Sequence, residues 1–414
     1  MTLPFNRKPS TLLHIDLISC FATIEQQANP HLRGKPVAVA AYDSPGGCIL
    51  AASTEAKRLG VKTGLRVKDG KMLCPDLIIK SPDPWKYRNV HLSLKQLLLQ
   101  YTNELTPKSI DEFVLNLEGY PAYAKGMFAL GREIKHRIQT EIGEWLTVSI
   151  GLGPNRFLAK TAANLHKPDG LDEINSANFA PIYHTLSLED LCGIARQNTL
   201  RLNNAGIYNV WQMYHASLSS LKAAFQSILS YYWYLRLRGW EIDDVPFGRK
   251  SYGNSYALPK PFTSKEELAP LLTKLTEKMT SRLRRAGWCA RGTHLAIVYR
   301  DGSFWHQGQK TSDTLFESRD VYQHLMHLFS HCPYRKPVSQ LAVSVFDLIP
   351  FHTLQLDLFG RVDQQQRLSN AMDTVNQRWG NFVITPARML GTDNNVPDRI
   401  AFGGIKELEE LVLH

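Results

Sequence analysis

Short β-rich runs alternate with helical stretches from Leu12 to about Lys167. The predicted strands are 12–16, 36–42, 109–117 and 146–152, and the predicted helices are 21–28, 53–59, 85–101 and 123–142. Leucines at positions 92, 94, 97, 98 and 99 give the helix over 85–101 an apolar stripe. Alternation of this kind predicts an α/β layer, here a split βαβ arrangement with insertions.

Two further sections follow this layer along the chain. Residues 186–240 carry a helical pattern with glycine-centred turns at 192–194 and 205–207, which predicts a small all-helical module. From 249 to 350 helical and strand patterns alternate again, and 351–414 holds a polar helix rich in Gln and Asn. Because 414 residues correspond to roughly two to four domains, the sequence predicts a multidomain protein of the α/β (α+β) class.

Composition narrows the class of protein. Hydrophobic residues make up 43% and charged residues 21% of the chain, which is typical of a globular protein and unlike a disordered or fibrous one. The longest apolar run, 37–42, is far shorter than the ~18 residues of a membrane helix. The polar N-terminus reaches His14 and Asp16 too early for a secretory signal. We therefore expect a cytoplasmic protein with no membrane partner.

The six cysteines are at least 26 residues apart in the sequence, which favours reduced thiols over a zinc site or disulfides.

The net charge of +10 is concentrated in one part of the chain. Residues 249–350 contain 15 Lys or Arg against 8 Asp or Glu, with arginines close in sequence to Trp288, Tyr299 and Trp305. Such a surface can follow the backbone of duplex DNA without recognising its sequence. The arginines concerned are Arg282, Arg284, Arg285, Arg291 and Arg300. A solvated basic face is the alternative interpretation.

Carboxylates beside apolar strands are the strongest candidates for chemistry. Asp16 ends a predicted strand, and Asp111 and Glu112 belong to a second acidic motif at 109–112. A carboxylate in apolar surroundings is costly unless a cation or hydrogen-bond donors meet it, and Mg²⁺ prefers such oxygen ligands. Two ions about 4 Å apart can activate a hydroxyl and stabilise a leaving oxygen in phosphoryl transfer. Asp111 and Glu112 share a site only if the chain bends there; an ordinary strand-end ion pair is the alternative.

These motifs belong to a longer series. In order, they are His-Ile-Asp at 14–16, Phe-Ala-Thr-Ile-Glu at 21–25, Asn-Pro at 29–30, Leu-Arg-Gly-Lys-Pro-Val-Ala-Val at 32–39, Glu-Ala-Lys-Arg-Leu-Gly-Val at 55–61, Cys-Pro-Asp-Leu at 74–77, Ser-Ile-Asp-Glu at 109–112 and Lys-Pro-Asp-Gly at 167–170. In order and spacing the series closely resembles the Y-family, or translesion, DNA polymerases, and the match covers nearly the whole chain.

The resemblance implies a fold and a division into domains. The implied parts are a ferredoxin-like palm (1–25 and 86–172), fingers (26–85), a helix-hairpin-helix thumb (173–245), an α/β little finger (246–350) and a C-terminal tail (351–414). It also implies that Asp16, Asp111 and Glu112 are the palm carboxylates, and that the backbone carbonyl of Leu17 is a further metal ligand. Two Mg²⁺ ions, with Mn²⁺ as an alternative, are the implied cofactors.

The resemblance further implies how the nucleotide is held. Phe21 matches an aromatic side chain that leaves no room for a sugar 2′-hydroxyl, although a lone Phe at the head of a helix is otherwise ordinary core. Lys167 matches a lysine that reaches the triphosphate; without the resemblance it is a surface lysine. Many members hold the triphosphate with a Tyr and an Arg where this chain has Thr54 and Lys57, and Lys lacks the bidentate fork of Arg.

The branch within the family is indicated by Gly-Cys-Ile-Leu-Ala at 47–51 together with Glu-Ala-Lys at 55–57. These runs look nearer the polymerase V catalytic-subunit branch than the polymerase IV branch. That likeness implies accessory mutagenesis subunits as partners.

Gln355, Leu356, Asp357, Leu358 and Phe359 resemble the peptide with which bacterial proteins bind the sliding clamp. A Gln amide can bond the rim of a pocket while Leu and Phe enter an apolar groove. An amphipathic edge strand with leucines at alternate positions is the other interpretation.

The sequence therefore predicts a template-directed translesion DNA polymerase that adds deoxynucleotides to a primer 3′-hydroxyl by a two-metal mechanism, with low fidelity and no proofreading. Its predicted partners are primer-template DNA, deoxynucleoside triphosphates and the sliding clamp. One alternative is a non-catalytic DNA- and clamp-binding scaffold, which would be expected to lose the palm carboxylates. Another is a ferredoxin-like nucleotidyl transferase such as a cyclase, which has no use for a thumb, a basic little finger or a clamp peptide.

Overall fold

The computed structural model describes residues 3–245, 248–333, 336–353, 361–380, 382–393 and 395–396. The chain divides into two compact units, one built mainly from residues 1–245 and one from 246–398. In the described ranges no helix has both the length and the apolar character needed to cross a membrane. The mixed α/β class predicted from the sequence is confirmed.

The first unit combines two sheets with helices. Its strands are β1 (Leu12–Leu17), β2 (Val37–Ala40), β3 (Ile49–Ala52), β4 (Ile78–Lys80), β5 (Leu105–Pro107), β6 (Glu112–Asn116), β7 (Val148–Gly153) and β8 (Leu171–Glu173). Its α-helices are α1 (Cys20–Ala28), α2 (Thr54–Arg58), α3 (Val67–Leu73), α4 (Pro84–Leu98), α5 (Met127–Arg137), α6 (Arg156–Ala163), α7 (Phe179–Thr185), α8 (Arg196–Asn204), α9 (Val210–His215), α10 (Leu218–Phe225) and α11 (Leu229–Arg236).

A five-stranded sheet in the order β5-β6-β1-β7-β8 forms the centre of this unit. Strand β1 lies between β6 and β7 and is antiparallel to both. Its side chains alternate between the two faces, so Leu13, Ile15 and Leu17 enter the core formed with α1, α4 and α5. Leu12 contacts α6 on the other face. Asp16 therefore lies on the α6 side of the sheet.

Helix α6 approaches this sheet closely because two glycines on β7, Gly151 and Gly153, lie against its backbone, and Gly151 is the closer. A Cβ atom at Gly151 would lie 2.0 Å from the carbonyl oxygen of Ala159 and 2.1 Å from the backbone nitrogen of Ala163. Only glycine leaves room for a helix backbone at this distance. The close approach brings Lys160, on α6, within reach of the first residue of β6.

Two local predictions differ from the structure. The apolar run at 36–42 forms the shorter strand β2, which pairs with β3 and β4, neither of them predicted. The single helix predicted over 123–142 is interrupted, because Gly126 has a φ of 82° and separates a 3₁₀ turn at Pro121–Lys125 from α5. Three-residue strands such as β4 carry too little periodicity to be recognised.

The predicted helical module is confirmed as α8 to α11, together with α7. Its core contains Trp233, Leu202 and Ile194, among others. The glycine-centred turn at 192–194 has Gly193 at a φ of 101°, and a Cβ there would lie 3.4 Å from the Trp233 ring. The turn thus packs against α11.

The second unit is an antiparallel sheet with helices. Its elements are β9 (Ser251–Phe262), α12 (Lys265–Arg285), β10 (Trp288–Tyr299), β11 (Phe304–Leu315), α13 (Ser318–Ser330), β12 (Val338–Pro350) and α14 (Arg361–Trp379). The strand order is β11-β10-β12-β9. The polar helix predicted in the tail is α14.

Two cations counted in the basic segment 249–350 lie inside the second unit. The Arg284 side chain is only 8% exposed and donates two hydrogen bonds, of 2.7 and 2.8 Å, to the Asp373 carboxylate on α14. Lys274 donates to the carbonyl oxygens of Thr392 and Asp393 at 2.5 and 3.1 Å. The prediction that Arg284 belongs to an exposed DNA-facing surface is wrong, since the C-terminal helix covers and neutralises it.

We expect Gly151→Ala to destabilise the first unit by about 3 kcal/mol or more, because the added methyl group meets backbone atoms that cannot move away cheaply. Urea unfolding followed by circular dichroism measures the change. Gly46→Ala is the matched control, because a Cβ at Gly46 has no atom within 4 Å. Equal stabilities of the two variants would contradict the close approach of α6 to β7.

Candidate active site

The register of the central sheet brings the predicted carboxylates together. Asp16, near the end of β1, is directly opposite Glu112, the first residue of β6. The backbone nitrogen of Leu17 donates to the carbonyl oxygen of Asp111 at 2.9 Å. Residues 109–111 form a bend before β6. The bend required for Asp111 and Glu112 to share one site is therefore present.

Two of the three carboxylates are paired with lysines. The Lys160 Nζ donates to both oxygens of Glu112, at 2.9 and 2.6 Å. The Lys167 Nζ lies 2.5 Å from Oδ2 of Asp16. Both lysine side chains are partly exposed, at 28% and 35%. Two cations at the edge of the site thus offset the charge of Glu112 and Asp16 but leave Asp111 without a cationic partner among the described residues.

Asp111 differs from the other two carboxylates. Burial raises its pKa, and repulsion from Asp16 and Glu112 raises it further; a hydrogen bond from Ser109 Oγ opposes the shift. No lysine is within ion-pair distance of Asp111 in the described ranges. The site therefore stores repulsion between carboxylates that a bound cation would relieve.

A cavity of about 440 Å³ opens beside these carboxylates. It is lined by Asp16, Leu17, Ile18, Ser19, Cys20, Phe21, Leu50, Ala51, Ala52, Thr54, Lys57, Arg58, Thr63, Asp111, Lys167 and Pro168. All of the predicted metal and nucleotide residues lie here except Glu112, which adjoins Asp16 outside the lining. Acidic and basic side chains thus share one cavity, which suits a phosphorylated ligand that binds together with metal ions.

The cationic side of the cavity comes from α2 and from the segment after α6. Ser53 caps α2, since its Oγ accepts a 3.3 Å hydrogen bond from the backbone nitrogen of Ala56. Burial lowers the pKa of Lys57, and the neighbouring charge of Lys167 lowers it further, while Asp16 and Asp111 oppose the shift. Two cations held this close together favour an anion between them.

Phe21 lies in the first turn of α1 and is only 2% exposed. Its ring stacks on Tyr87 of α4, with centroids 4.3 Å apart and an interplanar angle of 11°. The Tyr87 hydroxyl donates to Glu25 at 3.0 Å, and Lys86 forms an ion pair with Glu25 at 2.9 Å. The ring is therefore both core and part of the cavity wall, and α4 holds it in place.

The donor set fits divalent cations. Carboxylate oxygens of Asp16, Asp111 and Glu112 are the hard ligands that Mg²⁺ and Mn²⁺ take. Burial raises the pKa of Asp111, and repulsion from Asp16 and Glu112, which such ions would neutralise, raises it further. Ligand atoms of His14, Asp16 and Glu112 also lie within 4.8 Å of one another. The site is thus a candidate metal centre.

Several residues of the site could not be identified from the sequence pattern. Lys160 has no distinguishing spacing, Arg58 merely follows Lys57, and Tyr87 looks like any apolar position of α4. His14 stands out only as a member of the His-Ile-Asp motif. Such contacts depend on how α6, α2 and α4 pack in the folded chain, and packing of this kind leaves no local pattern in the sequence.

The clamp-like segment 355–359 lies outside the described residues.

Comparisons with known proteins place this geometry in a family. Residues 15–164 match the model of the impB/mucB/samB family, and residues 249–358 match its C-terminal domain. A protein of Moorella thermoacetica named DNA polymerase IV is 32% identical over 391 residues, covering 92% of this chain and 96% of its own. DNA polymerase IV 1 of Bacillus subtilis is 30% identical, with coverages of 92% and 94%.

The fold has solved counterparts. A Y-family DNA polymerase chimera superposes with a TM-score of 0.72 at 23% identity, over 82% of this chain and 99% of its own. An insertion ternary complex of Dbh DNA polymerase has a TM-score of 0.57 at 22% identity and the same coverages. These likenesses show that the palm, fingers, thumb and little finger fold predicted from the sequence is present.

A cavity lined by both carboxylates and lysines fits the class of metal-dependent phosphoryl-transfer proteins. Within that class, the chain belongs to the impB/mucB/samB family, that is, to the Y-family DNA polymerases. The expected likeness to the polymerase V catalytic-subunit branch is not supported, because the relatives described above are named DNA polymerase IV. Short runs around the fingers, such as 47–51, are a poor guide to the branch.

We expect Asp111→Asn to raise the thermal unfolding temperature of the protein in the absence of divalent cations. The pKa of Asp111 is higher in the folded chain than its ordinary value, so ionisation of this carboxyl at neutral pH opposes folding, and an uncharged amide removes that opposition. The gain should shrink as the pH falls, because the carboxyl is then protonated in both states. Differential scanning calorimetry in EDTA measures it.

Glu118→Gln is the control, because Glu118 is an exposed carboxylate outside the cavity. A lower unfolding temperature for Asp111→Asn than for the unchanged protein at pH 7 would contradict the repulsion inferred among the three carboxylates.

Proposed function

We propose that this protein is a template-directed translesion DNA polymerase of the polymerase IV type, of low fidelity and without proofreading. It transfers deoxynucleotides to a primer 3′-hydroxyl. One observation carries the proposal: Asp16 and Asp111 share a 440 Å³ cavity with Lys57 and Lys167 in a chain that belongs to the Y-family. The name of the relatives and the likeness to the ternary complex of Dbh DNA polymerase support the same activity.

In the proposed reaction, the primer 3′-oxygen attacks the α-phosphorus of the incoming nucleotide. The bond from that phosphorus to the pyrophosphate oxygen breaks, and the hydroxyl proton passes to water. Asp16, Asp111, Glu112 and the backbone carbonyl of Leu17 would hold two Mg²⁺ ions, with Mn²⁺ as an alternative. When bound, such ions lower the pKa of the attacking hydroxyl and neutralise charge on the leaving oxygen.

Lys57, Lys167 and Thr54 are proposed to hold the triphosphate. Lys167 forms an ion pair with Asp16 in the structure, so it must leave that carboxylate to reach the nucleotide. The exchange is favourable, since Asp16 gains a metal ion as Lys167 gains a phosphate. Thr54 offers a shorter hydroxyl than the commoner Tyr, and Lys57 offers a charge without a fork.

The domain roles are part of the proposal. Residues 1–25 and 86–172 would form the palm, 26–85 the fingers, 173–245 the thumb and 246–350 the little finger, with 351–414 as the tail. Primer-template DNA and deoxynucleoside triphosphates are the proposed substrates, and the cytoplasm is the proposed location. The sliding clamp, through 355–359, is a proposed partner. Accessory subunits are not part of the proposal, because only the unsupported polymerase V likeness implied them.

A non-catalytic scaffold is the competing function. Such a scaffold would retain DNA binding and would be expected to lose the palm carboxylates. In this chain Asp16, Asp111 and Glu112 are all acidic and lie together. The arrangement therefore favours catalysis over recruitment alone.

We expect the purified protein to extend a primer in the presence of Mg²⁺, and Asp111→Asn to reduce the rate by more than roughly 100-fold, since even outer partners of a metal site commonly cost 10- to 100-fold when lost. Glu118→Gln should keep the full rate. Gel-resolved extension of a labelled primer measures both. Equal rates for Asp111→Asn and the unchanged protein would sink the polymerase assignment and favour the scaffold.

We expect Phe21→Ala to raise the ratio of kcat/KM for ribonucleotides to that for deoxynucleotides by about 100-fold, because the ring would no longer exclude the 2′-hydroxyl. The ratio cancels any loss of folded protein, which matters because Phe21 is buried. Phe113→Leu is the control, since Phe113 belongs to the same core cluster without lining the cavity. An unchanged ratio in Phe21→Ala would show that the Phe21 ring does not exclude the 2′-hydroxyl.

A further inference from the structure

His14 is an unusual residue to find at the centre of a sheet. It lies on β1 between Val114 of β6 and Gly151 of β7, and it is only 2% exposed. Within the described part of the chain, neither of its ring nitrogens has a hydrogen-bond partner. Buried polar atoms are nearly always satisfied in native proteins, so an imidazole with two unpartnered nitrogens calls for a ligand.

The ring faces the carboxylates. His14 and Asp16 are two residues apart on one strand and so lie on the same face. The Nε2 atom of His14 is 3.7 Å from Oε2 of Glu112. One nitrogen of His14 and one oxygen each of Asp16 and Glu112 lie within 4.8 Å of one another. Three donors therefore lie close enough together to be offered to one ion.

We propose that His14, Asp16 and Glu112 form a binding site for a divalent transition-metal ion that accepts a nitrogen ligand, such as Mn²⁺. This site is distinct from the Asp16–Asp111 pair that lines the cavity. The inference shares Asp16 and Glu112 with the proposed polymerase site, but it does not require that the polymerase assignment be correct.

The chemistry of the donors selects the ion. Mg²⁺ keeps oxygen ligands and water, whereas an imidazole nitrogen suits the first-row transition metals. Ligands on opposite sides of an ion with bonds of about 2.2 Å lie about 4.4 Å apart, so side-chain movements of less than about 1 Å close the site.

One cation already competes for this position. Lys160 holds both oxygens of Glu112, so an incoming ion must displace it or share the carboxylate with it. Lys160 is 28% exposed and can move toward solvent. The competition limits affinity without blocking the site.

The test is pulsed electron paramagnetic resonance of Mn²⁺ added to the full-length protein without DNA or nucleotide. We expect electron spin echo modulation from a coordinated ¹⁴N nucleus, and we expect it to persist in a tenfold excess of Mg²⁺. His14→Phe should abolish the modulation. If that variant does not fold, Glu112→Gln should weaken it by removing a second ligand.

The matched control is the double variant His294→Gln/His306→Gln. These two histidines lie on neighbouring strands, with Nε2 of the first 3.3 Å from Nδ1 of the second, so they are another place where Mn²⁺ could find nitrogen. The double variant should keep the modulation. No ¹⁴N modulation in the unchanged protein, its survival in His14→Phe, or its loss in the double variant would each overturn the inference.

Primer extension by the unchanged protein in Mg²⁺ separates the two proposals. Extension without ¹⁴N modulation refutes only the histidine site. Modulation without extension supports the histidine site and refutes only the polymerase assignment.

Discussion

The pairing of β1 with β6 is the constraint on which the rest of the site depends. Its register sets Asp16 opposite Glu112. A slip of one residue would turn Asp16 into the apolar core and Ile15 toward α6, and the candidate metal centre would be lost. The apolar residues Leu13, Ile15 and Leu17 prevent that slip, because they are buried only in the observed register. Hydrophobic burial on one face of the strand therefore positions carboxylates on the other.

The same strand creates an electrostatic problem that neighbouring helices reduce. Three carboxylates gather where β1 ends and β6 begins and repel one another; burial raises the pKa of Asp111, and this repulsion raises it further. Lys160 reaches Glu112 only because Gly151 lets α6 approach, and Lys167 reaches Asp16 from the segment after that helix. The two lysines offset part of the repulsion in the acidic cluster, and both are partly exposed, at 28% and 35%.

The sequence identified the carboxylates of the site, but it did not predict the tertiary contacts that position them. Alternation along β1 and the acidic motif at 109–112 were enough to nominate the carboxylates, because both are local patterns. The contacts of Lys160 and His14 were not predictable, since they depend on how closely α6 lies against β7 and on which face of β1 each residue occupies. The fold shows the same limit: strand β4 has three residues and no periodicity to detect, and Gly126 interrupts a helix that composition alone predicts to be continuous.

The charge counted along the sequence overstates the charge that is exposed to a binding partner. The segment 249–350 carries the main basic surplus of the chain, yet Arg284 is buried against Asp373 and Lys274 against backbone carbonyls of the tail. Both partners lie after residue 350, so a count that stops at the little finger includes the cations and omits the groups that bind them. Electrostatic attraction to DNA depends on exposed charge. The contribution of the second unit to the salt dependence of duplex binding therefore depends on its exposed basic side chains and not on its formal surplus.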